Sequence, residues 1–310
     1  MTGVSFVVTV YNKEPFLPGV LGALFAQEGD FAREYVIVDD GSTDGSYALI
    51  ERLCAGREDV RLIRQRNAGP AVATNVGVRA ARHPWLKIVD ADDVLAPWCT
   101  RLMLEAAMRL DLRLAHGSGI LYRLGEKVDW GKVDPARVRP WRRDLFPHCL
   151  RNVPANLSVT LIDRALFWEV GGCDERIFTQ DYSLLLRLCR RSPVAEIDVP
   201  ISASPVEAPG RVSADQAGML RDTNAVILRF LAETDGLSWR ERHTAIERAF
   251  GRAWKWQRRK LGTGLWSRWF WLYALAKLGP PELAASFLPA TLGAFGEPAV
   301  AGGGRRDGAS

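Results

Sequence analysis

"KIVDADDV", residues 87–94, places the three carboxylates of Asp90, Asp92 and Asp93 within four positions, directly after an apolar run. Like charges this close raise the free energy unless a cation or hydrogen-bond donors offset them. In open α/β sheets, ligands bind in the crevice beyond the carboxyl ends of the strands. The stretch therefore predicts an α/β fold with a cation-binding crevice at a strand end. The alternative is that Asp92 or Asp93 only caps the helix that starts near Pro97.

Strand and helix patterns alternate on both sides of this stretch. Short β-branched runs predict four strands, at 4–10, 34–40, 60–65 and 85–90. Helical spacing predicts helices between and after them, at 16–27, 71–82 and 97–110. This order predicts an α/β layer built from right-handed crossovers. Residues 116–120 suggest a Gly-rich turn, 201–213 a loop, and the chain from about 214 onward more helices.

Charge and cysteine content narrow the class of protein. The net charge of +5 is uneven, because residues 239–280 hold ten Lys and Arg against two Glu, together with six Trp. The five cysteines are widely spaced and form no C-x-x-C, which argues against a disulfide framework or a zinc site and fits a reducing compartment. We expect no signal peptide, and the apolar run 269–276 is shorter than the ~20 residues that span a bilayer.

Residues 40–51 match the spacing of a calcium-binding loop, with Asp44, Gly45 and Glu51 in register. That loop requires an entering helix, whereas the segment before it is β-branched, and no partner loop is present. The phosphate-binding P-loop, the dinucleotide-binding G-x-G-x-x-G and the hydrolase G-x-S-x-G are all absent. A calcium-binding module is therefore the weaker alternative to an enzyme.

Five motifs in order carry a family resemblance: VSFVVTVYNKEPFLPGVLGALFAQ, EYVIVDDGSTDGS, RNAGPAVATNVGVRAA, WLKIVDADD and VGGCDERIFTQDYSLLLRL. Together they resemble the family 2 glycosyltransferases of GT-A fold, over about residues 1–215. The resemblance implies a nucleotide-binding α/β fold with a mixed, mainly parallel central sheet, followed here by a helical C-terminal region. It also implies an inverting, metal-dependent hexosyltransferase that uses Mn²⁺ or Mg²⁺ and a nucleotide-diphosphate sugar, with a UDP-sugar expected.

The resemblance assigns roles residue by residue. Asp181 would be the catalytic base, and Asp92 would ligate the metal with Asp93 in support. Asp39 would accept a hydrogen bond from the base of the nucleotide. The other nucleotide contacts would come from Thr9, Tyr11 (against the base), Glu14, Asn67 and Asp90 (on the ribose). Without the resemblance, Thr9 and Tyr11 suit a strand end, Asn67 a turn, and Asp181 a helix N-cap.

This chain departs from the family pattern at four places. Thr74 stands where an Arg near the nucleotide is usual, Gln180 where Glu precedes the base, and Cys173 where Phe is usual. The loop after the base, SPVEAPGRVSADQ, has no His to complete a metal shell. Glu207, Asp215 or water are the candidate substitutes.

The predicted organisation is a catalytic domain at 1–215, with a nucleotide-binding half at 1–95 and an acceptor half at 96–215. A helical, Trp- and Arg-rich region follows at 216–295, then a flexible tail at 296–310. The expected acceptor is a glycan or a lipid-linked acceptor, in a cytoplasmic protein with no nucleic-acid partner. Residues 239–280 either contact the inner face of a membrane or pack internally. A sugar nucleotidyltransferase is the runner-up, although residues 9–17 lack its Gly-rich phosphate loop.

Overall fold

The computed structural model describes residues 2–152, 154, 156–207 and 215–296. The chain divides into two units, residues 1–209 and 210–310. The predicted boundary at residue 215 adjoins residues 208–214, which lie outside the described residues, and the predicted domain limits stay a prediction. From residue 297 onward, the predicted tail also lies outside the described residues.

One sheet organises the first unit. Its strands are β1 (Gly3–Val10), β2 (Ala32–Asp39), β3 (Val60–Arg64), β4 (Trp85–Asp90), β5 (Val94–Leu95), β6 (Leu114–Tyr122), β7 (Trp141–Arg143), β8 (Thr160–Asp163) and β9 (Val194–Pro205). They pair in the order β3-β2-β1-β4-β8-β6-β9-β5, with β7 beside β9. The first four in this order are parallel, whereas β8 runs antiparallel to both β4 and β6. The prediction of a mixed α/β sheet is confirmed.

Helices cover both faces of this sheet. They are α1 (Leu17–Phe25), α2 (Ser46–Leu53), α3 (Pro70–Ala80), α4 (Cys99–Leu110), α5 (Phe146–Arg151), α6 (Arg164–Glu169) and α7 (Gln180–Arg191), with short 3₁₀ turns at Pro135–Arg137 and Leu157–Val159. Phe6 of β1 stacks on Tyr35 of β2 with ring centroids 5.1 Å apart, in the same apolar cluster as Leu21 of α1. Because both faces are covered, β1 and β2 are nearly continuous apolar runs.

Helix α3 approaches the opposite face of β1 closely at Gly77. A Cβ atom at Gly77 would lie 2.4 Å from Cγ1 of Val7, which is fully buried. Glycine at this position therefore lets the helix pack directly against the strand.

Two sequence predictions in this unit are wrong. Residues 116–120 lie inside strand β6 rather than in a turn, and residues 201–205 of the predicted loop belong to strand β9. Gly117 explains the first difference, because a Cβ atom there would lie 2.6 Å from Cδ1 of Ile201 on β9. The glycine thus marks a close approach of two strands, not a turn. Residues 208–213 of the predicted loop lie outside the described residues.

The second unit is helical in its described part. Its elements are α8 (Gln216–Glu233), α9 (Trp239–Leu261), α10 (Arg268–Leu278), α11 (Pro281–Ala285) and a 3₁₀ segment at Leu288–Phe295. Ser238 and Glu241 form a capping box that starts α9, and Gly262 ends it in the left-handed conformation. Within the described ranges, none of the helices combines the length and the hydrophobicity that a membrane-spanning helix requires.

The six tryptophans of 239–280 divide equally between packed and exposed positions. Trp254 and Trp269 are buried in one apolar cluster, and Trp256 packs beside it. Trp239, Trp266 and Trp271 are exposed, and Trp266 is 92% accessible. Internal packing therefore accounts for half of the tryptophans.

We expect Gly77→Ala to lower the free energy of unfolding by about 1–3 kcal/mol, because the added methyl group overpacks the contact with Val7. Gly22→Ala is the matched control, since Gly22 also lies inside a helix, but a Cβ atom there would meet no neighbouring group within 4 Å. That change should raise stability by roughly 0.5–1 kcal/mol through helix propensity. Urea titration followed by circular dichroism measures both, and equal effects would contradict the close-packing account.

Candidate active site

The carboxyl ends of strands β2, β1 and β4 lie side by side. Thr9 near the end of β1 pairs with Asp90, the last residue of β4, and Asp39 ends β2 on the other side of β1. Tyr11 directly follows β1 and is 46% exposed. The fold therefore brings Thr9, Tyr11, Asp39 and Asp90, all predicted from the sequence to contact a nucleotide, to one edge of the sheet.

Asp39 is a fully buried carboxylate with one oxygen available. Its Oδ1 accepts a hydrogen bond from the backbone N–H of Ser42 at 3.2 Å and lies 3.4 Å from Nε of Arg64. Its Oδ2 is buried without a hydrogen-bond partner among the described residues. A buried acceptor left unpaired costs about 1–3 kcal/mol, so this oxygen favours a ligand that brings an N–H group.

Asp40 has a structural role that the sequence analysis did not identify. Its carboxylate accepts hydrogen bonds from Gln65 Nε2 at 2.7 Å and from the backbone N–H groups of Ala68 and Gly69, each at 2.9 Å. The loop that carries Asn67 is thereby held against the end of β2. Gly41, at φ 74°, allows the approach, because a Cβ atom there would lie 2.7 Å from the backbone nitrogen of Asn67.

The loop after β1 is fixed by its side chains. Asn12, at φ 52°, accepts a hydrogen bond through Oδ1 from the backbone N–H of Thr43 at 2.8 Å. Glu14 accepts one from the backbone N–H of Gly45 at 3.0 Å, just before helix α2. Glu14 is thus held at the start of α2, and its predicted contact with the nucleotide stays a prediction.

The same contacts bear on the alternative calcium loop. Strand β2, not a helix, enters residues 40–51, and the carboxylate of Asp40 is already bound by three donors. Asp44 accepts hydrogen bonds from the backbone N–H groups of Glu14 and Ser46. These carboxylates therefore hold two loops together.

Of the carboxylate cluster, Asp93 is buried and Asp90 is half-buried. The backbone N–H of Asp90 donates to Oγ of Ser158 at 3.0 Å, and Oδ2 of Asp93 accepts from Nδ2 of Asn156 at 3.1 Å. Burial raises the pKa of Asp90 well above its ordinary value, and the carboxylates of Asp93, Asp92 and Asp181 raise it further. Asp181 therefore lies close enough to Asp90 for the two carboxyl groups to interact electrostatically.

Asp92 lies at the accessible side of the cluster. Its Oδ2 lies 2.5 Å from Nζ of Lys13, and its backbone carbonyl accepts a hydrogen bond from the hydroxyl of Tyr122 at 3.1 Å. Burial, with the neighbouring charges of Asp92 and Asp93, raises the pKa of Tyr122 to about 12, so the phenol remains a donor at neutral pH. Sequence reasoning missed both Lys13 and Tyr122; a basic residue shortly after the first strand was the one signal present.

Asp181 lies in the first turn of helix α7. The N-cap of this helix is Thr179, so Asp181 is not the cap that the alternative reading of the sequence proposed. The backbone N–H of Tyr182 donates to Oδ1 of Asp181 at 2.8 Å. A negative charge in the first turn of a helix is stabilised by the helix dipole.

One amide connects two of the sequence motifs. Asn75 of α3 accepts a hydrogen bond from the backbone N–H of Cys173 and donates to its carbonyl, both at 2.9 Å. It also donates to Glu175 at 2.8 Å. The segment that leads into α7, and so to Asp181, is therefore attached to helix α3. Thr74, beside Asn75, is fully buried.

The residues present suit a hard divalent cation that takes one carboxylate from the protein and most of its ligands from phosphate oxygens and water. No group of three or more His, Cys, Asp or Glu side chains within the described ranges is arranged to hold a metal. Two residues were predicted to replace the missing metal-binding His. Asp215 accepts a hydrogen bond from the backbone N–H of Gly218 at the start of α8, and Glu207 is exposed. Mg²⁺-type sites commonly use one or two carboxylates with phosphate oxygens and water, and Asp92 fits that pattern.

Comparison of the sequence with known proteins gives consistent matches. The profile of the family described as "Glycosyl transferase family 2" matches residues 5–170. Succinoglycan biosynthesis protein ExoO of Rhizobium meliloti is 41% identical over 105 residues, which is 34% of this chain and 29% of that protein. Putative glycosyltransferase EpsH of Bacillus subtilis is 31% identical over 127 residues, 41% of this chain and 37% of that protein. The matched stretches span about a third of the length of these curated relatives.

Solved structures share the fold. S. aureus TarS 1-349 in complex with UDP-GlcNAc has a TM-score of 0.61 at 15% identity, over 95% of this chain and 89% of that chain. Mannosyltransferase PcManGT from Pyrobaculum calidifontis, in complex with GDP-Man and Mn²⁺, has a TM-score of 0.55 at 18% identity, over 94% and 85% of the two chains. At these identities the likeness shows a common GT-A fold.

Proposed function

The chain belongs to glycosyl transferase family 2 and is a glycosyltransferase, and we propose that it moves a sugar from a nucleotide-diphosphate sugar to an acceptor hydroxyl with inversion at the anomeric carbon. The observation that carries this proposal is the group of carboxylates at the carboxyl ends of β2, β1 and β4. It combines a buried carboxylate oxygen that lacks a partner among the described residues with a carboxylate cluster on which Asp181 acts. These are the groups that binding a nucleotide and accepting a proton require.

The donor is a UDP-sugar in this proposal. The free Oδ2 of Asp39 is suited to the ring N–H of uracil, with Tyr11 against the ring. Thr9, Asn67 and Asp90 line the remaining nucleotide site. The solved structures with UDP-GlcNAc and with GDP-Man support a nucleotide sugar as donor without choosing the base.

A divalent cation, Mn²⁺ or Mg²⁺, is held by Asp92 together with the diphosphate. When bound, it supplies positive charge that stabilises the diphosphate as a leaving group. Asp93, buried and bound by Asn156, holds the backbone turn that presents Asp92. The Mn²⁺ in the mannosyltransferase structure supports this choice of cation.

Asp181 is the general base. It takes the proton of the acceptor hydroxyl as that oxygen forms a bond to the anomeric carbon. The bond from this carbon to the phosphate oxygen breaks on the opposite face, and the nucleoside diphosphate leaves with the electron pair. General-base help of this kind is worth about 10²–10⁴-fold in rate.

The acceptor is a glycan or a lipid-linked glycan. A role in polysaccharide synthesis is supported by ExoO, a succinoglycan biosynthesis protein by name. The nucleotidyltransferase alternative has no support, because the loop after β1 lacks a Gly-rich phosphate site and the family is one of sugar transfer.

We also propose that the protein is cytoplasmic and contacts the inner face of a membrane through the α9–α10 turn, residues 258–268, within the predicted region 239–280. Leu261, Leu265 and Trp266 are exposed in this turn. Exposed basic side chains flank them on both sides: Arg258, Arg259, Lys260 and Arg268. Tryptophan favours the membrane interface and basic residues favour anionic headgroups, so this combination suits an anionic bilayer.

Asp181→Asn should lower sugar transfer by about 10²–10⁴-fold while UDP affinity stays close to that of the parent protein, because the change removes the proton acceptor and keeps the shape. Release of UDP measures turnover, and calorimetry with UDP and Mn²⁺ measures binding. Asp198→Asn, at an exposed carboxylate on β9, is the control and should change neither quantity. Near-full turnover of Asp181→Asn would exclude Asp181 as the base.

Removal of divalent cations should stop turnover, and added Mn²⁺ should restore it. Asp92→Asn should weaken UDP binding measured with Mn²⁺ and should not weaken UDP binding measured in chelator, since only the cation-dependent part is lost. Full turnover in excess chelator would show that transfer does not depend on the metal.

Vesicle sedimentation tests the membrane contact. Vesicles that contain about one-third phosphatidylglycerol should bind the protein at low salt and release it at high salt, whereas neutral phosphatidylcholine vesicles should not bind it. Replacing Arg258, Arg259 and Lys260 by Gln should weaken binding about a hundredfold, at about 1 kcal/mol per basic residue.

The pair Leu265→Ser and Trp266→Ser should also weaken vesicle binding. The control is Trp239→Ser, because this exposed tryptophan lies at the other end of α9, about 33 Å away. An equal loss for the control, or no binding of the parent protein to anionic vesicles at low salt, would reject this surface.

A further inference from the structure

We infer that Lys13 is a built-in counter-cation of Asp92: it holds this carboxylate before the divalent cation binds, and it then turns to the diphosphate of the donor. The inference rests on the proposed function, because it assigns Asp92 to the metal. It adds a residue that neither the motif roles nor the comparisons assign.

The contact itself is close and shielded. Nζ of Lys13 lies 2.5 Å from Oδ2 of Asp92, and the two side chains are only 20% and 16% exposed. The ring of Phe16 lies beneath the ammonium group at 5.5 Å, which favours a cation at this place. Shielding from water makes this pair stronger than an ordinary surface ion pair.

The backbone of Lys13 is fixed, and the side chain is the part that can move. Its N–H donates to Oγ of Ser46 at 2.9 Å, and its carbonyl accepts from the backbone N–H of Phe16 at 3.0 Å. Asn12, next to it, is held by the 42–44 loop. Four flexible carbons therefore carry the ammonium group from an anchored point into the crevice.

The cluster needs a cation in the absence of metal. Asp90, Asp92 and Asp93 fall within four positions of the chain, and the ammonium group of Lys13 lies 2.5 Å from Asp92. Without Lys13, these carboxylates would repel one another with no nearby compensation from this loop. The ion pair therefore keeps Asp92 in place in the absence of metal and nucleotide.

One carboxylate oxygen does not serve both cations. A Mg²⁺–oxygen bond is about 2.0–2.1 Å long, and an ammonium 2.5 Å from Oδ2 would repel a metal bound to this carboxylate at short range. We expect Lys13 to leave Oδ2 of Asp92 when the cation arrives with the donor, because this relieves the repulsion between the two positive charges. Lysine binds phosphate as a point charge, so the released ammonium has a new partner in the diphosphate that enters the same crevice.

This exchange predicts two affinity changes of opposite sign. Lys13→Met removes the competitor, so Mn²⁺ alone should bind about fivefold more tightly. The same variant has lost a phosphate partner, so UDP in saturating Mn²⁺ should bind about fivefold more weakly. Both values correspond to one ion pair of about 1 kcal/mol.

Free Mn²⁺ is measured by electron paramagnetic resonance on the full chain, and UDP binding by calorimetry. Lys127→Met is the matched control, since Lys127 is an exposed lysine of the same unit and its replacement changes the net charge equally. It should leave both affinities unchanged. Lys13→Arg keeps the positive charge, and its affinity for Mn²⁺ alone should not exceed that of the parent protein.

The double variant Lys13→Met with Asp92→Asn locates the effect. It should lose the gain in Mn²⁺ affinity, because the oxygen freed by the first change is removed by the second. Unchanged or weaker Mn²⁺ binding by Lys13→Met, or unchanged UDP binding, would overturn the inference.

The two proposals fail differently. If Lys13→Met shows both affinity changes while the parent protein transfers no sugar, the inference on Lys13 holds and the proposed reaction is wrong. If transfer occurs and depends on Mn²⁺ while Lys13→Met binds Mn²⁺ no better than the parent, the proposed reaction holds and the inference on Lys13 is wrong.

Discussion

The parallel pairing of β1 with β2 on one side and β4 on the other determines where the candidate site lies. Because the three strands run in one direction, their carboxyl ends meet at one edge, and Thr9, Asp39 and Asp90 arrive there together. The register matters as much as the direction, since a slip of one residue would turn each side chain to the other face of the sheet. Apolar residues that must stay buried on both faces oppose such a slip.

Around this edge, polar side chains hold the loops through hydrogen bonds to backbone groups. Asp40 fixes the loop of Asn67, Asn12 fixes the 42–44 loop, and Asn75 fixes the segment before α7. Lys87 does the same from inside the sheet, where its buried ammonium donates to the carbonyls of Ser158 and Thr160. The groups that face the crevice are thus positioned by neighbours that do not reach it.

Local sequence patterns were sufficient to predict the strands that are buried on both faces of the sheet. The strands at 4–10, 34–40 and 85–90 were visible as apolar runs, and the positions of Thr9, Asp39 and Asp90 follow from where those runs end. Local patterns failed at strand β6, where a glycine serves a contact with β9, a strand about 80 residues later in the chain. They also missed the contact of Lys13 with Asp92, since this partner is set by how the loop after β1 folds back and not by residue type.

The hydrogen bonds between Asn75 and the backbone of Cys173 join residues 98 positions apart in the chain, and this separation has a consequence for the order of folding. Closing a long loop costs conformational entropy, and such contacts form after the local ones. The strands that supply Asp39 and Asp90 all lie before residue 91 and can pair among themselves, whereas Asp181 takes its place only once α3 and the segment after α6 have met. During synthesis, the chain would therefore bring together the residues of the proposed nucleotide site before Asp181, the proposed base, is in place.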